Sequence, residues 1–218
     1  MASAVLFIVM AIIACILLLV VSLTATAGAI DTFNSVYYTS DPNIRSAHQY
    51  LTISAALGWS SLAILIVILV VAAIAGGFST VEISEALLTK TNPTKEDLIA
   101  AYRGERELAA GYTTQIIVLI TLIILAIVIF IIGSLSAVAA SSIANMKQRD
   151  SYANSAYTYS IVTAVIAILG IGIMITAIIA YWGIKIARDT QLKEVEVFDK
   201  KIQQQYGVTP AQLIQTQP

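Results

Sequence analysis

The stretch QIIVLITLIILAIVIFIIG, residues 115–133, decides the fold. It is apolar on every face of a helix and lies within a longer stretch, residues 108–146, that contains no Asp, Glu, Lys, Arg or His. A helix without a polar face does not lie at the surface of a soluble domain. Because about 20 apolar residues are enough to cross a bilayer, the stretch predicts a transmembrane helix.

The composition of the whole chain agrees with this prediction. Of its 218 residues, 58% are hydrophobic and 11% are charged, whereas soluble domains carry about 25% charged residues. The mean hydropathy is +0.86. The net charge of −1 gives no basic surplus for binding nucleic acid. With the single cysteine Cys15, no disulfide can form within the chain.

The apolar pattern occurs four times, so we predict an all-α integral membrane protein built as a four-transmembrane-helix bundle. Amphipathic helices are expected in the middle loop and the C-terminal tail, with Thr94 as an N-cap and Gly207 as a C-cap. The predicted transmembrane helices cover residues 1–28, 50–77, 113–143 and 157–184. They are connected by short loops at 29–49 and 144–156, by a helical segment at 78–112, and are followed by a helical tail at 185–218.

The first apolar run has a second interpretation, a cleaved signal peptide, because residues 25–27 read Ala-Thr-Ala. We expect the run to be retained as a transmembrane helix. No Lys or Arg precedes it, and its apolar core is longer than the roughly 7–15 residues usual in signal peptides.

The distribution of basic residues predicts the orientation. The middle segment and the tail contain nine of the twelve Lys and Arg residues, and the two short loops contain three. By the positive-inside rule, the middle segment and both termini are expected on the cytosolic side. Aromatic residues at the ends of the spans are predicted to anchor them at the membrane interfaces. On one face these are Tyr50, Tyr157 and Tyr159, and on the other Tyr112, Tyr181 and Trp182.

Small residues at a spacing of four predict close helix packing, either within the bundle or between subunits. The residues concerned are Thr24 and Gly28, Ala72 and Gly76, and Gly133, Ala137 and Ser141.

Two short patterns recur and suggest a tandem duplication of a two-helix hairpin. Residues 22–27, SLTATA, resemble residues 134–139, SLSAVA, and residues 46–50, SAHQY, resemble residues 155–159, SAYTY. The pieces keep their order and their position relative to the membrane, as in parallel repeats. Alternatively, the similarity reflects only the Ala- and Ser-rich composition of helix ends.

The predicted spans contain no ionisable side chain apart from Cys15 and tyrosines near their ends, and this bears on function. Such residues mark ion paths and proton relays in membranes, so their absence argues against pumps, voltage sensors and proton-coupled transporters. The only histidine, His48, is expected to be a solvated interface residue, and Cys15 a small hydrophobe. We therefore predict no enzyme, and no catalytic, cofactor-binding or metal-binding residue.

The expected function is that of a structural or scaffolding protein that organises an assembly at a bilayer, for example the internal membrane of a virion or an organelle membrane. Its partners would be the lipid bilayer and other subunits, in a homo- or hetero-oligomer. The residues predicted to dock partners lie on the apolar stripes of the cytosolic helices: Leu98, Tyr102, Leu108, Leu192, Val195, Phe198 and Ile202.

Two alternatives remain open from the sequence. One is a channel or facilitator for an uncharged solute, with a pore lined by hydroxyl side chains. The other is an accessory subunit of a larger membrane complex. The residues proposed for such a pore are Thr52, Ser54, Thr121, Thr163 and Thr176.

Overall fold

A computed structural model of the chain describes residues 2–74 and 111–207, together with residues 94, 97, 103 and 212. Within these residues the chain is all-helical. The four long helices are α1 (Ala2–Asn34), α2 (Pro42–Ile74), α3 (Tyr112–Ala144) and α4 (Ser151–Tyr206). All four are long and apolar enough to cross a membrane. The prediction of four long apolar helices in an all-helical chain is therefore confirmed for the described residues.

The four helices form a ring in which each packs on two neighbours. Helix α1 contacts α2 and α4, and α3 contacts the same two helices. Short loops at 35–41 and 145–150 connect α1 to α2 and α3 to α4. We call the end of the bundle with these loops the loop end, and the opposite end, from which α4 continues into the tail, the tail end.

The helices at the loop end are longer than the predicted spans. Helix α1 continues to Asn34 and α2 already begins at Pro42, whereas the sequence predicted a loop over residues 29–49. Two aspartates set the starts: Asp41 Oδ1 accepts a hydrogen bond from the Asn43 N–H. Asp150 acts in the same way at the start of α4. An apolar run decides where a chain can enter a bilayer, but a capping residue decides where a helix begins.

Large apolar side chains fill the space between the helices. Leu18, Leu65, Leu122 and Leu125 are all buried and belong to one cluster that reaches from the middle of the bundle to the tail end. A second, smaller cluster closes the loop end around Ile44.

Glycine allows the closest approach between helices. A Cβ atom added to Gly58 of α2 would lie 2.6 Å from Ser22 Oγ and 3.3 Å from Ser22 Cα on α1. At Gly133 of α3, an added Cβ would lie 3.1 Å from the Cβ atom of Ala167 on α4. Such contacts stabilise helix pairs by van der Waals packing, which does not require water.

Capping residues confirm two details predicted for the polar segments. Gly207 ends α4 in the left-handed conformation, with φ of 67°, which glycine adopts without a steric penalty. The Asp97 N–H donates to Thr94 Oγ1, and the Thr94 N–H donates to Asp97 Oδ2. This reciprocal pair has the pattern of a capping box, with Asp in place of Glu.

Candidate functional site

Asp150 is the centre of a hydrogen-bond network at the loop end. Its Oδ1 atom accepts the Ala153 N–H at 2.8 Å, which caps α4. The same carboxylate accepts the Ser35 hydroxyl at 3.1 Å and the Val36 N–H at 2.9 Å. The Tyr37 hydroxyl adds a second link by donating to Gln148 Oε1. One carboxylate therefore joins the loop of the first hairpin to the start of the last helix.

The environment of Asp150 favours its charged form. Partial burial by itself would raise the pKa of this carboxyl, but the hydrogen bonds from Ala153, Val36 and Ser35 together lower it. Hydrogen bonds donated to a carboxylate stabilise its ionised state. The sequence interpretation missed this role, although an Asp-Ser pair directly before a helix is a recognisable capping signal.

His48 lies beside a small aromatic cluster between α1 and α2. Its Nδ1 atom lies 2.9 Å from the Ala29 carbonyl oxygen and 3.1 Å from Thr32 Oγ1. Because a carbonyl oxygen only accepts, Nδ1 carries the hydrogen in this contact. The rings of Phe33 and Tyr38 pack against the imidazole, with centroid distances of 5.8 and 5.3 Å. The histidine predicted to be solvated is thus half-buried and held by the end of α1.

Hydroxyl side chains inside the bundle bond to one another and to their own helices. Thr163 Oγ1 donates to Thr24 Oγ1 at 2.8 Å and lies 2.7 Å from the Tyr159 carbonyl oxygen. Ser136 Oγ lies 3.4 Å from Ser54 Oγ across the α2–α3 contact. A hydroxyl that bonds to the preceding turn of its own helix is satisfied and is not activated as a nucleophile.

The five hydroxyl residues proposed for a pore do not line one path. Ser54 and Thr163 are buried between helices, whereas Thr52 is exposed on the outside of α2. Thr121 and Thr176 each donate to the carbonyl oxygen four residues earlier in their own helices.

At the tail end, a buried guanidinium packs against the start of α3. Arg188 is 1% exposed, and a Cβ atom added to Gly111 would lie 2.9 Å from Arg188 Cζ. Tyr181, two turns earlier on α4, is also 1% exposed, and its ring centroid lies 4.7 Å from that of Phe7 on α1. Nothing in the sequence marked Arg188 as buried, because its neighbours along the tail are mostly polar.

The predicted helix-packing residues divide into two groups. Thr24, Gly28, Ala72 and Gly133 are at least half-buried between helices. Ala137 and Ser141, which continue the Gly133 ridge, are exposed, so contact of these two with another subunit stays a prediction. Gly76 lies outside the described residues.

The predicted interface anchors also differ in exposure. Tyr112, Tyr159 and Trp182 are exposed, and Tyr50 and Tyr157 are half-buried. Tyr181 instead faces into the bundle, so its ring is not available to a surrounding membrane.

The partner-docking residues on α4 are partly covered by the chain itself. Val195 and Phe198 are buried, and Leu192 is half-buried. The side chain of Ile202, and all of Leu98, Tyr102 and Leu108, lie outside the description. On the surface of the tail, Lys185 pairs with Asp189 and Lys200 with Glu196, both at a spacing of four residues.

The described part of the chain contains no group of three His, Cys, Asp or Glu side chains that could hold a metal ion. Comparison with known proteins adds no assignment, since no family model, no curated protein and no solved structure matches this chain. The functional argument therefore depends on the geometry of the bundle and its two ends.

Proposed function

We propose that this chain is a non-enzymatic four-span membrane protein that organises a larger assembly at a bilayer, such as the internal membrane of a virion or an organelle membrane. The continuity of α4 carries the proposal. This helix runs unbroken for 56 residues, and the part after residue 184 extends for about 33 Å at 1.5 Å per residue. This extension carries the charged side chains of the tail and makes them a rigid continuation of the bundle.

The outer surface of the bundle supports membrane insertion. Large apolar side chains such as Ile12, Val67, Ile124 and Ile168 are exposed on all four helices, while Ser22, Ser54, Ser136, Ser160 and Thr163 are buried. Contiguous exposed apolar surface of this extent is not tolerated in soluble monomers. In the hydrocarbon core of a bilayer, this apolar surface would not be exposed to water.

The packed interior favours a scaffolding protein rather than a channel. The centre is filled by buried leucines, and the inward hydroxyls are engaged by neighbouring helices or their own backbone. A pore for an uncharged solute would need hydroxyl groups directed at a continuous open path.

The tail offers a surface for partners. Val197 is 54% exposed and is surrounded in sequence by exposed Lys193, Glu194, Glu196 and Lys200. An apolar side chain with mixed charges at its rim is the usual composition of a protein contact. Contact through this face with other subunits, of the same or another chain, would complete the assembly.

Orientation and ancestry are part of the proposal. The N-terminus of α1 and the C-terminal part of α4 lie at the same end, and the positive-inside rule assigns that end to the cytosol. Tandem duplication of a hairpin is supported by the equivalent capping roles of Asp41 and Asp150, which are separated by 109 residues and precede the second helix of each hairpin.

The test compares assembly of the full chain with that of tail variants in mild detergent. Val197→Glu should reduce the mass of the complex towards the 23.3 kDa protomer, measured by light scattering after correction for detergent. Gln204→Glu adds the same charge at an exposed polar position and should leave the mass unchanged. A wild-type protein that is monomeric, and that also co-purifies with no other subunit in mild detergent, would contradict the proposal.

A second measurement distinguishes the channel. Vesicles reconstituted with the wild-type chain should show no flux of glycerol above that of empty vesicles. Flux well above this background, abolished by replacing Ser54 or Thr163 with a bulky residue, would favour a solute facilitator over a scaffolding protein.

A further inference from the structure

A groove on the outside of the bundle runs between α1 and α2 near the loop end. It encloses about 280 Å³ and is lined almost entirely by apolar atoms. Buried Ala29 and Ala55 form its floor, and its edges are formed by exposed or half-buried side chains. The residues that line it are Thr26, Ala29, Ile30 and Phe33 of α1 and His48, Thr52 and Ala55 of α2.

The sequence spacing brings a cation to the outer end of this groove. Arg45, His48, Thr52 and Ala55 follow one another at intervals of three or four residues, so they lie along one face of α2. Arg45 is exposed, and no carboxylate in the described part of the chain forms an ion pair with it, including Asp41 one turn away. The groove therefore has apolar walls, and a positively charged side chain lies beyond its outer end.

The groove and the cation beyond it together span one leaflet of a membrane. On α2 the lining extends from His48 to Ala55, about 10 Å at 1.5 Å per residue, and Arg45 lies one turn further, about 15 Å from Ala55. That distance is half of the roughly 30 Å hydrocarbon core. At the deep end, the Trp59 Nε1–H donates to Thr26 Oγ1 at 3.2 Å and closes the space between the helices. The volume is at the lower limit of ligand pockets, about 300 Å³, which suits one chain of a lipid better than a rigid multi-ring molecule.

We propose that this groove binds an acyl chain of an anionic phospholipid from the leaflet at the loop end, with the lipid phosphate on Arg45. The inference rests on the proposed placement of the bundle in a bilayer. Guanidinium groups bind phosphate oxygens through paired N–H donors, and lateral opening between α1 and α2 gives the lipid direct access. His48, held by Ala29 and flanked by Phe33, forms the wall next to the headgroup.

Trp59 provides a direct probe, because the chain has only two tryptophans and the other, Trp182, lies at the tail end. In a Trp182→Phe background, the chain is reconstituted in phosphatidylcholine vesicles that contain phosphatidylglycerol with brominated acyl chains. Quenching of Trp59 fluorescence then reports the lipid in the groove. We expect brominated phosphatidylglycerol to associate about fivefold more strongly than brominated phosphatidylcholine, the effect of one basic side chain near an anionic headgroup.

Two variants and their controls test the two parts of the site. Arg45→Gln should reduce the ratio of phosphatidylglycerol to phosphatidylcholine association to about one. Lys147→Gln, at an exposed position in the other loop, should leave this ratio unchanged. Thr52→Phe fills the groove from an exposed position and should remove the additional quenching. Thr158→Phe places the same ring on an exposed position of α4 and should have no effect. Circular dichroism checks that each variant keeps its helix content.

Each other outcome overturns the inference. Equal quenching by both brominated phospholipids, with Arg45 present, would show that the groove does not select an anionic lipid. Stronger quenching by a brominated sterol would show that the groove binds a sterol instead. If Lys147→Gln lowered the preference for phosphatidylglycerol as much as Arg45→Gln does, the preference would come from the general surface charge and not from Arg45. Absence of quenching by any brominated lipid would instead refute the bilayer placement, so the two proposals fail in distinguishable ways.

Discussion

Replacing Asp150 with alanine removes the carboxylate that joins the two hairpins at the loop end. The substitution eliminates the cap of α4 and both hydrogen bonds from the first loop. Loss of an N-cap costs about 1 kcal/mol. Hydrogen bonds to a charged acceptor contribute about 1.5–3 kcal/mol each, but Val36 is 72% exposed, so its N–H regains water. We expect a total loss of about 3 kcal/mol in the free energy of unfolding.

Asp41 provides the matched control. It caps α2 through the Asn43 N–H, but it accepts no hydrogen bond from another segment in the described part of the chain. Asp41→Ala should therefore cost only the cap, about 1 kcal/mol. Asp150→Asn should fall between the two, because the amide keeps one acceptor oxygen and turns an N–H group towards a donor.

Reversible unfolding in mixed micelles, induced by increasing SDS and followed by circular dichroism, measures all three variants. We expect the loss in the free energy of unfolding to be about 2 kcal/mol larger for Asp150→Ala than for Asp41→Ala, because only Asp150 contributes the contacts between the loops. Equal losses, within about 0.5 kcal/mol, would show that these contacts contribute nothing beyond helix capping, and would refute the assignment of Asp150 as the link between hairpins.

Three further predictions concern pH and close packing. Because the pKa of Asp150 is lowered in the folded chain, its contribution is complete above the unfolded value of about 3.9 and is lost as the pH falls through the lower folded value. The unfolding free energy of Asp150→Ala should depend less on pH below about 4 than that of the wild type. Gly58→Val should cost about 2–3 kcal/mol in the same assay, since its Cβ would lie 2.6 Å from the buried Ser22 hydroxyl oxygen and 3.3 Å from the Ser22 Cα atom on α1. Gly111→Ala should cost less, about 1 kcal/mol, because its Cβ would meet the guanidinium at the end of the flexible Arg188 side chain. Gly172→Ala, where an added Cβ meets nothing within 4 Å, is the control for both, and a cost equal to theirs would contradict the packing argument.

The sequence predicts the number and type of the helices well, because apolar length alone requires them. It predicts the end of α4 at Gly207 for an equally local reason, the left-handed conformation that glycine allows. It does not predict the burial of Arg188. Whether a charged side chain is covered depends on which turn of α3 meets it, and this is a property of the tertiary packing.

The Gly133 ridge shows how local spacing fails over several turns. Residues four apart advance by about 40° beyond a full turn, so a ridge of three such residues rotates by about 80° around the helix. Gly133 meets Ala167, but Ala137 and Ser141 have turned outwards. The face used inside the bundle passes instead through Ser136 and Ala140. A spacing rule identifies a helix surface, and the crossing angle of the neighbouring helix decides how much of it is used.

The position of the polar groups is the reason for placing the proposed functions at the ends of this molecule. Inside the bundle, serine and threonine act as small residues that let helices approach. The hydroxyls of Ser22 and Ser160 donate to the preceding turn of their own helices, whereas Ser136 donates to Ser54 on the neighbouring helix. The two surfaces proposed to bind ligands, Arg45 at the loop end and the charged face around Val197 on the tail, are exposed. Substitutions in the core should therefore change stability without changing specificity, whereas substitutions at these two surfaces should change lipid preference or assembly while the bundle stays folded.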